Sequence, residues 1–324
     1  MIAERTGFAV TTISKALHDA PNISEKTKKH IRSIAEEIGY QPDRAGVSLR
    51  TGRTNKIVLL MQLEDEISDF SRRLILGIVR VLEPTPYELV FHPILPKNDE
   101  LDEIKKIVNN RAADGLVLAQ TAPNDPRVSF ALEHNFPVVT HGRTTLDAPH
   151  PYYDFDNKKF SYCAGKRLVE LGCSSIGLLA PESYLTYYQH LQSGLNDVVL
   201  ESKCEAINFR TETPKNSDYL RWLRKETVFA MENGTMPQGV ICSGEMAALA
   251  VIDGVQSVGG EIGRDVKIIS RKTSSLLEYI HPHIEWVEED LIVAGEHLAK
   301  LLLRNIQGHD PRELQIVGPP TFDW

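Results

Sequence analysis

The sequence predicts two kinds of fold in one chain: a small all-α head of the helix-turn-helix type, and a larger α/β body of parallel, doubly wound sheets. The first forty residues carry apolar side chains at helical spacing, with a glycine between two short segments. From residue 57 onward, short apolar runs alternate with amphipathic segments. At 324 residues, the chain is too long for one ordinary domain.

Two short helices are predicted on either side of Gly7. In the second, Ile13, Ala16 and Leu17 fall on one face at spacings of three and four residues. The other face then presents short polar and basic groups, together with one valine: Val10, Thr11, Ser14 and Lys15.

A third helix is predicted to follow. Ser24 is a favourable N-cap, and Gly39 is a typical terminator. Between them, isoleucines recur at helical spacing. We expect the three helices to close around Ile13, Leu17, Ile31, Ile34 and Ile38.

Charge is distributed unevenly between these two parts. Residues 1–56 hold ten Lys and Arg against six Asp and Glu, whereas the rest of the chain holds 26 against 38. The whole chain carries a net charge of -8. A basic head on an acidic body indicates that only the head meets nucleic acid.

The body offers no convincing catalytic or metal site. The four cysteines lack zinc-ligand spacing, and we expect them to be small buried hydrophobes. His281 and His283 flank a proline, which indicates a turn. The glycine cluster at 254–263 follows a helical segment and precedes a strand, the reverse of a dinucleotide-binding loop. We therefore predict no enzyme activity, no cofactor and no metal.

The head resembles the DNA-binding domain of the LacI/GalR family of bacterial transcription factors, without a gap from Ile2 to Leu49. The resemblance implies that Val10, Thr11, Ser14 and Lys15 read base edges in the major groove. It implies phosphate contacts by a second set, Thr12, Asn22, Ser24, Thr27 and Tyr40. Arg44 is also predicted to contact DNA. Leu49 matches the leucine that a hinge helix inserts into the minor groove.

Three departures from the family pattern bear on DNA binding. The chain starts where the family usually has several more residues. Ala9 stands in place of the usual N-cap serine of the second helix, a loss of about 1 kcal/mol. Gly46 stands in the hinge segment where alanine is common, which costs about 1 kcal/mol in helix formation.

The body resembles the two-lobed, periplasmic-binding-protein-like part of the same family, on runs such as 114–120, 136–143 and 288–308. We predict a DNA-binding domain at 1–42, a hinge at 43–56 and a body at 57–324. Lobe 1 is predicted to comprise about 57–155 and 286–310, and lobe 2 about 156–285 and 311–324. The resemblance implies that a small effector binds between the lobes, against Phe70, Arg143, Phe155, Asp156, Leu191, Gly244, Glu245, Lys272 and Leu291.

Three of these positions carry unusual residues. Many sugar-responsive members have arginine, asparagine and aspartate where this chain has Leu191, Gly244 and Lys272. With Arg143 and Arg271 also present, the lysine favours an anionic effector such as a sugar acid or phosphosugar. The alternative is that Lys272 pairs with Glu245 or Asp156 and the effector is a neutral sugar.

We therefore expect a cytoplasmic transcriptional regulator, by default a repressor, that binds double-stranded DNA at a near-palindromic operator. We expect a homodimer, with a tetramer as an alternative. A sugar-like effector would control its DNA binding, and no association with a membrane is predicted. The competing hypothesis is a sugar-sensing protein with little or no DNA binding, because of the shortened N-terminus.

Overall fold

The structure is a computed structural model that describes residues 2–17, 19–40, 52–62, 68–95, 99–180, 183–207, 218–280, 284–322 and 324. The chain divides into two compact units, a head at 1–54 and a body at 55–324. Most of the predicted hinge, including Arg44, Gly46 and Leu49, lies outside the described residues, as do His281 and His283.

The head contains three helices: α1 (Ile2–Thr6), α2 (Val10–Leu17) and α3 (Glu25–Glu37). Gly7 turns the chain between the first two with a φ of 70°, a left-handed conformation that favours glycine. The Ser24 hydroxyl accepts a hydrogen bond from the backbone N–H of Thr27 at 3.2 Å, which confirms the predicted N-cap. Gly39, with a φ of 63°, follows the end of α3 as predicted.

The centre of the head differs partly from the prediction. Ile13 and Ile31 are buried as expected, whereas Ile34 takes no part in the apolar cluster. The smaller alanines pack in the centre, because they allow the helices to approach closely. The buried members are Ile2, Ile13, Ala16, Ile31 and Ala35.

The body alternates strands and helices in chain order. The strands are β1 (Lys56–Gln62), β2 (Glu88–Ile94), β3 (Gly115–Ala119), β4 (Val138–His141), β5 (Tyr152–Phe155), β6 (Ser175–Leu179), β7 (Glu205–Ile207), β8 (Gly239–Cys242), β9 (Lys267–Lys272), β10 (Glu285–Glu288), β11 (Gln315–Gly318) and β12 (Thr321–Phe322). The helices are α4 (Ser68–Leu82), α5 (Glu100–Asn109), α6 (Pro126–Glu133), α7 (Asn157–Glu170), α8 (Thr186–Ser202), α9 (Tyr219–Glu232), α10 (Glu245–Ser257), α11 (Leu276–Ile280) and α12 (Leu291–Ile306). None of the helices in the described ranges is long and apolar enough to cross a membrane.

These strands form two six-stranded sheets. The first has the order β11-β5-β4-β3-β1-β2, and all of its pairs are parallel. The second has the order β12-β10-β9-β8-β6-β7, and only the short β12 runs antiparallel to its neighbour. The prediction of parallel, doubly wound sheets is confirmed.

The first sheet is covered on both faces, because alternate residues of its strand β1 pack into two different apolar clusters. In β1, Ile57 and Leu59 belong to the apolar cluster that α4 and α12 cover. Val58 and Leu60 belong to the opposite cluster, covered by α5 and α6. A strand buried on both faces must be apolar throughout, which explains why β1 and β3 appear in the sequence as continuous apolar runs.

The last lobe crossing was predicted near 310, which is wrong, whereas the crossing before it lies close to its predicted position of about 286. The whole of β10 pairs with β9 in the second sheet, so the chain returns to the first lobe after 288. The segment from 311 to 318 belongs to the first lobe, because β11 pairs with β5. Both strands are short and only partly apolar, and pairing with a distant strand decides which sheet each one joins.

Two smaller predictions are confirmed. Cys173, Cys204 and Cys242 are buried free thiols, and Cys163 is partly buried. The glycine cluster at 254–263 contains the end of α10 and the loop that leads to β9, which is a helix-to-strand connection.

His150 makes the stability of the body depend on pH. Its ring Nε2 lies 3.1 Å from the Thr140 hydroxyl in a buried site, and burial lowers the pKa of His150 to about 4. The unfolded chain takes up this proton below about pH 6.5, whereas the folded chain resists it. We therefore expect the free energy of unfolding to fall between about pH 6.5 and pH 4, by up to about 3 kcal/mol. Thermal denaturation across this range measures the effect.

The variant His150→Gln is the matched comparison, because it keeps a polar side chain but cannot titrate. Its melting temperature should fall less steeply with acidification than that of the wild type. Identical pH profiles for the two proteins would contradict the assignment.

Candidate functional site

The exposed face of α2 is the first candidate site. Val10 is 73% exposed, and Thr11 and Lys15 are also exposed. Ser14 is partly buried on the same face, one turn after Val10. An exposed valine beside hydroxyl and ammonium groups offers both an apolar contact for a thymine methyl group and donors for base edges.

The residues predicted to contact phosphate also reach the surface of the head. Asn22, Ser24 and Tyr40 are exposed, and Thr12 and Thr27 are partly buried. The Ser24 and Thr27 hydroxyls lie 2.8 Å apart and contribute to the cap of α3. These two therefore have a structural role already, and a phosphate contact would be additional.

Lys28 differs from the other two lysines at the start of α3. Lys26 and Lys29 are exposed, whereas Lys28 is only 4% exposed. Its ammonium lies 2.8 Å from Glu25 and 3.1 Å from Asp19. Lys28 therefore ties the start of α3 to the loop after α2, and it is not available to a phosphate.

The second candidate site lies at the carboxyl ends of the body strands. Nearly all the predicted effector residues stand there: after β4 (Arg143), at and after β5 (Phe155, Asp156), before and at the start of α10 (Gly244, Glu245), at the end of β9 (Lys272) and after β10 (Leu291). Phe70 lies near the start of α4, which follows β1. This edge is the usual ligand site of open parallel sheets.

Arg143 is held by an acid of its own lobe. Its Nε donates to Asp154 at 2.5 Å, and its Nη2 lies 3.4 Å from the Nδ1 of His190 in α8. Burial raises the pKa of Asp154 although Arg143 opposes the rise. Burial and the Arg143 charge together lower the pKa of His190 to about 4. Arg143 thus reaches from the first lobe to the second.

Arg271 lies deeper in the cleft and is also satisfied. Its Nε donates to the Ser243 carbonyl at 2.7 Å, and its Nη1 lies 3.2 Å from Glu289. The guanidinium carbon lies 6.0 Å from the Phe155 ring centre and 5.8 Å from that of Tyr187. The aromatic rings and the carboxylate fix the orientation of this cation.

Lys272 has a different partner from the one considered in the sequence. Its ammonium bonds to Glu278 of α11, lies 4.0 Å from Glu288 and stands 3.4 Å from the centre of the Trp286 ring. Glu245 instead accepts hydrogen bonds from the backbone and hydroxyl of Ser274. The alternative pairing of Lys272 with Glu245 or Asp156 is not formed, because α11 brings Glu278 over the end of β9.

Several predicted effector residues have almost no surface. Leu191 and Leu291 are fully buried, and Phe155 is 2% exposed. Leu191 lies on the buried face of α8 and packs in the apolar cluster that α7 and α8 share with the second sheet. Its side chain is therefore part of the core of that lobe. Effector contacts by Leu191 and Leu291 stay a prediction, and in the conformation described both side chains are buried.

Asp156 and Gly244 have local structural roles. The Asp156 carboxylate caps α7 by accepting a hydrogen bond from the backbone N–H of Lys159 at 3.0 Å. Gly244 stands at the N-cap of α10 in an extended conformation, and an added Cβ there would meet open space. A side chain at 244 would therefore fit into the cleft without strain.

His141 and Glu289 also belong to this site, although neither was predicted from the sequence. The Nε2 of His141, at the end of β4, lies 3.0 Å from the Glu289 carboxylate. Phe70 meets the His141 ring edge-on, with 5.4 Å between ring centres. The neighbouring Asp290 is the N-cap of α12, as an acidic residue at the start of a helix is expected to be. Nothing in the local pattern distinguishes its neighbour Glu289.

Comparison with known families agrees with this architecture. The family model for bacterial regulatory proteins of the lacI family matches residues 2–43. The model for the periplasmic binding protein-like domain matches residues 166–323.

Similar proteins extend over nearly the whole chain. The HTH-type transcriptional regulator AglR of Rhizobium meliloti (strain 1021) is 26% identical over 326 residues, which covers 96% of this chain and 89% of AglR. RafR of Escherichia coli, also an HTH-type transcriptional regulator, is 25% identical, with 99% and 95% covered.

Two solved structures illustrate the fold. The lac repressor dimer bound to operator and the anti-inducer ONPF has a TM-score of 0.82 at 18% identity, covering 99% of this chain and 96% of that one. A complex of the transcriptional regulator CelR with cellobiose has a TM-score of 0.69 at 20% identity, covering 100% and 97%. At these identities the similarity shows the fold alone.

Proposed function

The chain belongs to the lacI family of bacterial regulatory proteins, and from this premise we propose that it is a DNA-binding transcriptional regulator controlled by a small sugar-like effector. The observation that carries the proposal is the exposed face of α2 on a basic three-helix head. A phosphate backbone attracts such a head, and the acidic body repels it, so the head alone meets DNA.

Val10, Thr11, Ser14 and Lys15 are proposed to read base edges, since they share one face of α2. The set proposed for phosphate contacts is Thr12, Asn22, Ser24, Thr27 and Tyr40, and Arg44 is also proposed to contact DNA. Leu49 is proposed to enter the minor groove, as the family resemblance implies.

Two copies of the chain are proposed to bind one operator. A two-fold dimer sets its heads about one DNA turn apart, so the operator is a near-palindrome. We propose that the protein represses transcription and that effector binding releases it from the operator. Effector binding between the lobes changes operator affinity because it favours one relative arrangement of the lobes over another.

The effector is proposed to carry no negative charge. The anionic hypothesis depended on the positive charges of Arg143, Arg271 and Lys272. In the structure each of these is paired with a carboxylate, respectively Asp154, Glu289 and Glu278. An anion would have to compete with the carboxylate that already pairs with each cation. In each pair at least one of the two groups is buried, and removing its partner is costly.

Fluorescence anisotropy with duplexes from the native locus tests the proposal. We expect specific binding that weakens steeply with salt and changes on addition of a sugar. A protein that prefers no native duplex over random DNA would contradict it. Sugar binding without any DNA binding would instead favour the competing sensor hypothesis.

Lys15→Ala is expected to relax base preference at one position of each half-site. Loss of a donor to a base edge should reduce discrimination there by about 1–3 kcal/mol. Competition binding with a panel of single-base operator variants measures the change. The matched control is Lys29→Ala, which removes an equal charge from an exposed position on α3. The control should weaken all duplexes equally; equal patterns for both variants would contradict a base contact by Lys15.

A further inference from the structure

Glu289 is a buried carboxylate at the point where the chain passes from the second lobe to the first. It follows β10 of the second sheet and precedes α12, which covers the first sheet. It is only 2% exposed, and its backbone N–H donates to the Lys272 carbonyl at 2.9 Å. The backbone of Glu289 is therefore held in place, and its carboxylate has little freedom to reach solvent.

Two cationic or polar groups approach Glu289 from opposite lobes. Arg271 of β9 lies 3.2 Å from one oxygen, and His141 of β4 lies 3.0 Å from the other. Burial alone would raise the pKa of Glu289, but the Arg271 charge and the neighbouring His141 outweigh it and lower the pKa. Glu289 is thus an ionised carboxylate between the lobes.

The acceptor capacity of this carboxylate is not filled. Although the two neighbours are close, no donor among the described residues makes an aligned hydrogen bond to either Glu289 oxygen. The Nε2 of His141 is likewise buried without a hydrogen bond. A carboxylate offers about four lone-pair sites, and buried polar groups are almost always satisfied. Donors from a molecule bound between the lobes would fill these acceptor sites.

The surroundings match the chemistry of a sugar. Phe70 stands edge-on to His141, and the rings of Phe155 and Tyr187 lie beside Arg271. Apolar rings beside a few well-placed polar groups are typical of small-molecule sites. Residue 272, where the family resemblance leads one to expect an acid, is instead a lysine covered by Glu278 and Trp286.

We propose that Glu289 is the specificity-determining residue of the effector site, accepting hydrogen bonds from two hydroxyls, or from a hydroxyl and an amine, of a neutral or amino sugar. The inference rests on the proposed function, since it concerns the same cleft. Arg271 and His141 orient the carboxylate, and because they belong to different lobes, filling it couples the effector to the lobe arrangement. An anionic sugar is rejected, because its own charge would face a carboxylate.

Calorimetric titration of the full-length protein tests this inference. The probes are cellobiose, maltose and glucosamine, with glucuronate and glucose 6-phosphate as anions. We expect the wild type to bind at least one of the first three and neither anion. Glu289→Gln should weaken that binding about 10- to 100-fold, because a carboxamide accepts fewer hydrogen bonds and carries no charge.

Two further variants keep the result interpretable. Glu289→Asp retains the charge but withdraws it by one methylene, so it should fold with a wild-type melting temperature and still bind the sugar more weakly. Glu313→Gln, at an exposed glutamate, is the matched control and should bind as the wild type does. Unchanged affinity in both Glu289 variants, or a wild type that binds only anions or none of the neutral and amino probes, overturns the inference.

Operator binding by the same samples without sugar separates this inference from the proposed function. If the wild type preferred no duplex over random DNA, the regulator proposal would be contradicted, whereas the calorimetric result on Glu289 would still stand. If the wild type bound operator and the Glu289 substitutions left sugar affinity unchanged, only the present inference would be contradicted.

Discussion

Ile31→Ala is expected to abolish operator binding while the body stays folded. Ile31 is fully buried among Ile2, Ile13, Ala16 and Ala35, and alanine would leave a cavity between the three helices. Such truncations cost about 2–5 kcal/mol. A domain as small as this head has about 3–5 kcal/mol of stability in total, so most molecules would have an unfolded head.

Two measurements check this result. Anisotropy with operator DNA should show loss of specific binding, whereas the main thermal transition of the body should remain at its wild-type temperature. Ser33→Ala, at an exposed position on the same helix, is the control and should bind DNA normally. If Ile31→Ala bound operator with wild-type affinity, the three-helix head would not be the DNA-binding unit.

Gly295→Ala is expected to cause a large loss of stability in the body. Gly295 of α12 packs directly on the backbone of α4. An added Cβ would overlap the Leu74 carbonyl oxygen and lie 3.0 Å from the Ile78 nitrogen and 3.1 Å from the Gly77 Cα. Because these are backbone atoms, no side chain can move aside. The helices must separate, at a cost of about 1–3 kcal/mol or more.

Thermal and urea denaturation measure this loss. Val293→Ala is the matched control, since Val293 is 40% exposed on the same helix. It should change stability by less than about 0.5 kcal/mol. Equal melting temperatures for Gly295→Ala and the control would show that α4 and α12 do not approach as closely as described.

Local patterns predicted much of this protein correctly. Ser24 caps α3 because a hydroxyl at that position accepts from a nearby backbone N–H, which is an interaction between neighbours in sequence. The buried strands were recognisable because a strand between two helical layers must be apolar on both faces. The exposed face of α2 followed from helical periodicity in the same way.

Interactions between distant segments were predicted less well. Glu245 and Asp156 were considered as ion-pair partners of Lys272, whereas its partner is Glu278 of α11, which lies over the end of β9. Leu191 was assigned to the cleft by position, but apolar packing draws it into the core. Glu289 was not among the predicted site residues. It has His141 and Arg271 as neighbours only because β4 and β9 come together beside the segment that connects β10 to α12.

The sequence by itself determined the elements, their buried faces and the polar surface of the head, because caps, turns and periodicity depend on residues a few positions apart. The tertiary structure alone decided which sheet β10 and β11 join and which carboxylate meets each cation of the cleft. The physical reason is that strand pairing and ion pairing act through space, and the partners here come from opposite lobes or from segments that only the folded chain brings together.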